Sequence, residues 1–401
     1  MSIAARYHVV DADTHIIEPP DLWTSRLPAK WKLHGPHVAI DKRGIPRWQM
    51  GEHRMPPVAS VAFAGWKDFP PNHPPTLEDA DPGSWQAKQR LERMDEYGVY
   101  AQVLYPNLIG FQSEAFMTME DKELGLACVR AYNDFLIDFA EPAPDRFIGI
   151  GWLPFWNMEE SIKELKRCAK IGIKGIILSN DFPAVGLPPI YDEHWFPIFE
   201  LCQEFGFSIN FHIGFADKTT EEMRKFQKRV GSDKVQYVKE SAMLMMGNAN
   251  SIADVILGGL CEKFPRLNFV SVESGASWVP CFMESLDWQW KNAGAARMFP
   301  ERMLPSEYFR RQVYGSFWFE HELLKRTIEL YPDNFMFETD YPHPTSLSPG
   351  PASYADVPSV YIDRELAGLK EEHIRKVLHG NAARVYGLKF PALREQFAKA
   401  A

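Results

Sequence analysis

The feature that most constrains this chain is a repeated alternation of short apolar runs with longer helix-period segments. The runs Tyr7–Asp13, Ala101–Tyr105, Phe147–Leu153, Gly175–Ser179, Phe207–His212, Asn268–Glu273, Gln312–Phe317 and Phe335–Asp340 read as strands. Between them, Gln86–Tyr97, Asp121–Phe139, Met158–Ile171, Tyr191–Phe205, Ser251–Phe264 and Glu320–Tyr331 read as helices. Such alternation gives βαβ units, because parallel strands need a crossover long enough to hold a helix. Eight strands so connected predict an α/β fold, a (β/α)8 TIM barrel rather than a doubly wound sheet. No GxGxxG or GxxxxGK[ST] follows the first run, which weakens a nucleotide-binding alternative.

The connections are unequal. Long insertions are expected after strands one, five and six, at about residues 24–84, 214–250 and 288–312. The first contains a hairpin, with Val38–Ile40 and Arg47–Met50 flanking Asp41-Lys42-Arg43-Gly44. No Gly/Ser linker or change of composition divides the chain, so residues 1–401 read as a single barrel domain. Long ordered loops at one end of a barrel supply the walls and lid of a site. The cluster Met243-Leu244-Met245-Met246 reads either as core packing or as an adaptable apolar wall over the mouth.

Charge and cysteines limit the partners. The net charge of -9, with no basic block, argues against nucleic acid and leaves a small-molecule substrate as the expected partner. No apolar run reaches the ~18 residues of a membrane span, and no signal peptide is evident at the N-terminus. The five cysteines lack CxxC spacing, and Cys128, Cys168 and Cys202 fall in apparent amphipathic helices. Reduced, buried thiols and a cytoplasmic location are therefore expected.

Active sites in these barrels lie at the carboxyl ends of the strands. The first strand runs into Asp11-Ala12-Asp13-Thr14-His15, where alternate residues point the same way. The fifth ends in His212, the sixth in Glu273 and the eighth in Asp340. Far apart in sequence, these residues converge on one mouth. Asp13, His15, His212 and Asp340 offer two nitrogens and two oxygens, a donor set for one divalent ion. Zn²⁺ is expected first, with Mn²⁺ or Fe²⁺ as alternatives. Glu273 is read as a catalytic acid or as a cap on the next helix with Ser274. Asp11 stands behind the site, and Glu18 orders the first loop. His343 reads as a substrate contact or a loop histidine. Trp23, Tyr105, Phe215, Trp278 and Trp318 are aromatic loop candidates, individually packing or contact, that suggest a flat apolar substrate.

These residues resemble the amidohydrolase superfamily, in particular the amidohydrolase-related branch with aminocarboxymuconate-semialdehyde decarboxylase and the resorcylate-type decarboxylases. The resemblance rests on Asp11–Trp23, His212, Glu273-Ser274-Gly275-Ala276-Ser277-Trp278, Pro305-Ser306-Glu307-Tyr308 with Arg310-Arg311, Thr339–Pro344, and Gly380-Asn381-Ala382-Ala383-Arg384. It implies that Asp13-Thr14-His15 replaces the family's His-x-His or Glu-x-His pair, and that Asp340 both binds metal and handles a proton. Glu273 stands where the family's decarboxylases often carry histidine. Ser179-Asn180 stands where some relatives hold a bridging lysine, which implies one metal rather than two. The expected activity is metal-assisted hydrolysis or non-oxidative decarboxylation of a small aromatic or unsaturated carboxylic compound. A lyase or hydratase on the same metal, or a catalytically silent binding barrel, are the alternatives. Asp340 and Glu273 are the expected catalytic residues, and His343, Tyr105, Trp278 and Arg311 the expected substrate contacts. A homodimer is a further implication of the resemblance.

Overall fold

A computed structural model describes residues 2–179, 182–214, 229 and 232–390. Its strands are β1 (Val10–Ile16), β2 (Pro36–Ile40), β3 (Pro46–Met50), β4 (His53–Pro57), β5 (Ala101–Pro106), β6 (Phe147–Gly151), β7 (Gly175–Leu178), β8 (Ser208–His212), β9 (Phe269–Val272), β10 (Val313–Phe317) and β11 (Phe335–Phe337). Eight of them form one parallel sheet in the order β1-β5-β6-β7-β8-β9-β10-β11. The sheet closes where Thr14 bridges Tyr341, just past β11. At this seam His15 N–H donates to Tyr341 O at 2.7 Å and Asp340 N–H donates to Asp13 O at 3.0 Å. The fold is the expected TIM barrel. Residues of the barrel strands are buried along their whole length, because helices cover the outer face and side chains fill the inner one.

Local chemistry bounds Met158–Ile171 and Lys122–Ala140 within a residue of where the periodicity predicts, whereas the helix expected over Tyr191–Phe205 begins at Phe196 and that over Glu320–Tyr331 covers Leu324–Leu330. Met158–Ile171 opens on Asn157, whose side chain accepts from Glu160 N–H, and carries Glu159 and Glu160 in its first turn. It ends on Gly172 at φ 103°, a left-handed conformation that favours glycine. Its apolar side buries Leu165 and Cys168 against the barrel. Lys122–Ala140 is capped in the same way by Asp121, which accepts from Leu124 N–H.

Three further details depart from expectation. The first insertion folds as a three-stranded antiparallel sheet, β2-β3-β4, rather than a hairpin. Pro56 and Pro57 masked the third strand, since proline is tolerated only at sheet edges. The helix expected over Ser251–Phe264 starts at Asn248 and breaks at Gly258-Gly259 into Asn248–Leu257 and Leu260–Lys263. The last strand ends at Phe337, and Asp340 beyond it turns to φ 57°. The second insertion, including Phe215, lies partly outside the described residues, as does Asn180; its helix Asp233–Leu244 is described. Among the described residues no helix is long and apolar enough to cross a membrane.

Candidate metal centre

Two imidazoles define the centre. His15, near the end of β1, and His212, at the end of β8, have no exposed surface, and their Nε2 atoms lie 2.9 Å apart. Each ring turns its other nitrogen to a backbone carbonyl. Nδ1 of His15 is 3.1 Å from Pro106 O and Nδ1 of His212 is 2.6 Å from Ile213 O. A carbonyl only accepts, so each Nδ1 carries the proton and each neutral Nε2 presents a lone pair. Two lone pairs at that distance repel unless an electrophile lies between them. Second nitrogens anchored in this way are the usual arrangement of metal-ligating histidines.

Carboxylates surround the same point. Asp13 Oδ1 is 3.6 Å from His15 Nε2, and Asp13 Oδ2 is 3.6 Å from His212 Nε2. Asp340 Oδ1 is 3.8 Å from His15 Nε2, and Glu273 Oε2 is 3.6 Å from His212 Nε2. Both oxygens of Asp13 are buried without a hydrogen-bond donor. An orphaned buried acceptor costs about 1–3 kcal/mol, and two nitrogens with orphaned oxygens are the donor set a divalent ion takes. Asp13, His15 and His212 each bring one donor atom within 4.8 Å of the others, and so do His15, Asp340 and His343, so overlapping groups here suit a divalent cation.

The surroundings hold these groups firmly. His343 stacks on His15 with ring centroids 3.9 Å apart. Its Nδ1 lies 2.8 Å from Asp340 Oδ1 and its Nε2 2.7 Å from Asn107 Oδ1. Glu18 ties the loop after β1 to the loop after β5, accepting from Asn107 N–H at 3.0 Å and Leu108 N–H at 2.8 Å. Glu273 and Asp340 are left-handed at φ 53° and 57°, a conformation that costs a non-glycine residue about 1–3 kcal/mol and clusters at functional sites. A register shift in β1 between Asp11 and Thr14 sits beside the seam, as bulges near active sites often do.

Burial dominates the electrostatics. It pushes Glu273 well above the usual carboxylate range, and the charge of Asp340 adds to the effect. Asp340 and Glu338 are raised in the same sense, again by burial first and Asp13 next. His15 is pushed well down, and His343 is lowered to about 3, so both are neutral. In His212 burial lowers the imidazole, but Asp13 and Glu273 outweigh it and the net shift is upward. A proton and a cation thus compete for His212.

A cavity of about 480 Å³ opens from Glu273 toward solvent. Tyr237 and Met245 line it from the second insertion, and Trp318, Phe319 and Thr345 from the loops after β10 and β11. Glu273 faces this cavity with a side chain 12% exposed, whereas those of Asp13 and Asp340 are fully buried. On the opposite side Phe111 packs at 5.6 Å against His15, His212 and His343 alike.

Several expected contacts fall elsewhere. Arg311 lies at the far end of the barrel, before β10, where its guanidinium donates to Cys261 O and to Gln312 Oε1. Helix Pro305–Gln312 precedes its strand, so its side chains face the end opposite the mouth. Tyr105 is buried inside the barrel beneath the histidines, its hydroxyl 3.0 Å from Asn210 Oδ1. Trp278 donates to Ser274 O and packs on Phe282 rather than lining the cavity. Trp23 is core, donating to Cys128 O. His343 belongs to the ion cluster and does not line the cavity. Of the aromatic candidates among the described residues, Trp318 alone lines it. Tyr237, Phe319 and Phe111 were missed: Tyr237 sits on the inserted helix Asp233–Leu244, Phe111 on the short helix Leu108–Phe111 and Phe319 in a loop, and none of these belongs to the barrel periodicity that points to the mouth. Met243 and Met246 are exposed, while Leu244 and Met245 form wall.

Both the sequence and the fold have relatives among known proteins. A sequence model of the family described as amidohydrolase matches residues 10–388. The chain is 26% identical over 337 residues to 2-amino-3-carboxymuconate-6-semialdehyde decarboxylase of Dictyostelium discoideum, covering 82% of this chain and 83% of that one. It is 25% identical over 298 residues to gamma-resorcylate decarboxylase of a Polaromonas species, covering 71% and 83%. The crystal structure of an amidohydrolase from Mycobacterium avium subsp. paratuberculosis superposes with a TM-score of 0.70 at 22% identity, covering 95% and 99%.

Proposed function

Since the chain belongs to the amidohydrolase family, we propose that it is a metal-dependent carboxy-lyase that decarboxylates a small aromatic or unsaturated carboxylic acid without an oxidant. The observation that carries this reading is the pair of facing Nε2 lone pairs of His15 and His212, 2.9 Å apart. Asp13, His15, His212 and Asp340 hold the ion, Zn²⁺ first and Mn²⁺ or Fe²⁺ otherwise. When bound, it supplies Lewis acidity and positive charge for a substrate carboxylate and a neighbouring oxygen.

The chain's own groups do the rest. Trp318, Tyr237 and Phe319 hold a flat ring and exclude water. Burial and the neighbouring charge of Asp340 favour the protonated form of Glu273. As the bond between ring carbon and carboxylate breaks and carbon dioxide leaves, Glu273 gives its proton to that carbon. It is left as a carboxylate and regains a proton from water in the cavity. His343 keeps Asp340 in place.

One observation supports a second reading, hydrolysis: a carboxyl group at position 273 where the resemblance implies histidine. Asp340 would then take a proton from water and Glu273 would protonate the leaving group. Carbon dioxide release across a panel of hydroxybenzoates and unsaturated acids separates the two. Release supports decarboxylation; no release, with turnover of esters or amides, supports hydrolysis and overturns it. We further propose a cytoplasmic homodimer. Five unpaired cysteines support the reducing compartment, and sedimentation tests the assembly.

A further inference from the structure

One buried cation belongs neither to the ion cluster nor to the cavity. Arg90, on the helix Ala87–Tyr97, has no exposed surface. A guanidinium taken out of water loses several kcal/mol unless its donors are matched. Here Nε donates to Gly83 O at 2.6 Å, Nη2 to His15 O at 2.5 Å and to Ser84 O at 3.3 Å, and Nη1 to Gln102 Oε1 at 3.2 Å. Gln102 passes the contact on, donating from Nε2 to Asp11 Oδ2 at 3.1 Å. Asp11 in turn accepts from Thr339 N–H at 2.8 Å and from the Thr339 hydroxyl at 2.6 Å. The guanidinium also lies 4.3 Å over the ring of Tyr341.

Thr339 and Tyr341 are the two neighbours of Asp340. One side chain therefore grips the carbonyl of His15 directly and reaches both flanks of Asp340, through the Tyr341 ring and through Gln102–Asp11–Thr339. All of this lies at the seam where the barrel closes, Thr14 against Tyr341. The first strand supplies Asp13 and His15 and the last supplies Asp340. Slippage at the seam would move one half of the donor set against the other.

We infer that Arg90 is a positioning residue for the divalent centre, locking the β1–β11 seam through Gln102, Asp11 and Thr339 so that Asp13, His15 and Asp340 meet in one geometry. The inference rests on the metal reading above. A role in stability alone would lower the unfolding midpoint and leave ion affinity intact in the folded protein. Positioning would instead weaken the ion. Arg90→Lys keeps the charge and loses the planar fork. Titration calorimetry with Mn²⁺, on protein whose circular dichroism is native, should show about 10–100-fold weaker binding, the size of effect seen when partners of metal ligands are removed. Arg90→Met should weaken it further, and saturating Mn²⁺ should restore much of kcat to the lysine variant. Thr339→Val removes the hydroxyl that donates to Asp11 and accepts from Tyr341 N–H, leaves the Arg90 donors in place, and should weaken Mn²⁺ in the same direction by less. If the Arg90 variants do not fold, Gln102→Leu and Thr339→Val decide. Folded variants with unchanged Mn²⁺ affinity overturn the inference. Wild-type apoprotein that binds neither Mn²⁺ nor Zn²⁺ overturns the metal reading itself, a separate and visible failure.

Discussion

Replacing Glu273 by Gln isolates the proton step. The side chain keeps its size, its backbone conformation and a polar head at the cavity, and loses only the exchangeable acid. Oxygens of Asp13, Glu273 and Asp340 lie within 4.8 Å of one another. At an effective dielectric of ~20, each ionised neighbour at that distance opposes ionisation of Glu273 by about 3.5 kcal/mol. A bound divalent ion offsets the charges of Asp13 and Asp340. Burial, the largest influence on Glu273, then favours the protonated acid against the lowering influence of His212. A positioned general acid contributes about 10²–10⁴-fold, or about 3–5 kcal/mol of barrel-site activation energy. Glu273→Gln should therefore lower kcat by about 10²–10⁴-fold with little change in KM, since the interaction is made in the transition state. The assay is carbon dioxide release against pH, with metal content measured on the same samples. Wild-type kcat should be lost as pH rises through the raised value of Glu273, and the variant should lack that limb. Wild-type kcat and an unchanged pH profile in an ion-loaded Gln variant would refute the role of Glu273.

Other expectations follow from single contacts. His212→Ala removes one of the facing nitrogens and should strip most of the divalent metal, read by elemental analysis; a full metal complement with full activity contradicts the centre. Arg311→Ala should leave KM unchanged and cost about 1–3 kcal/mol in urea unfolding for the lost carbonyl contact; a raised KM would return Arg311 to the site. Glu164 is buried on the inner face of the helix Met158–Ile171, and hydrogen bonds from Arg167 and Asn133 outweigh its burial and depress its carboxyl. Its contribution to stability is present above the unfolded value of about 4.5 and fades as pH falls through the depressed folded value. Glu164→Gln should thus be less stable than wild type at neutral pH, with the gap closing in acid. A gap that is constant with pH would show that charge plays no part.

How much of this was legible beforehand depends on what each residue answers to. Barrel strands are buried on both faces and stand out as apolar runs, so their ends could be placed, and with them Asp13, His15, His212, Glu273 and Asp340. Glu18 also behaved as a loop-ordering group. Arg311 misled because chain position alone does not say which end of the barrel a residue faces; the helix–strand order does, and Arg311 precedes its strand. Tyr105 shares the end of β5 with the mouth, yet its side chain points down into the barrel toward Asn210. Cavity walls such as Tyr237 and Phe319 come from an inserted helix and a loop that lie outside the barrel's strand–helix repeat. The left-handed turns at Glu273 and Asp340 were hidden too, since neither residue type signals positive φ. Arg90 sat in an amphipathic helix among charged neighbours, where nothing in the pattern separates a buried guanidinium from a solvated one.

The most direct measurement is anomalous diffraction from crystals of the protein grown with Mn²⁺, collected near the manganese absorption edge. The expected result is one strong peak between His15 Nε2 and His212 Nε2, bounded by Asp13 and Asp340, and its disappearance in His212→Ala. No peak there, with the two imidazoles still facing each other across a shared proton, would contradict the metal centre.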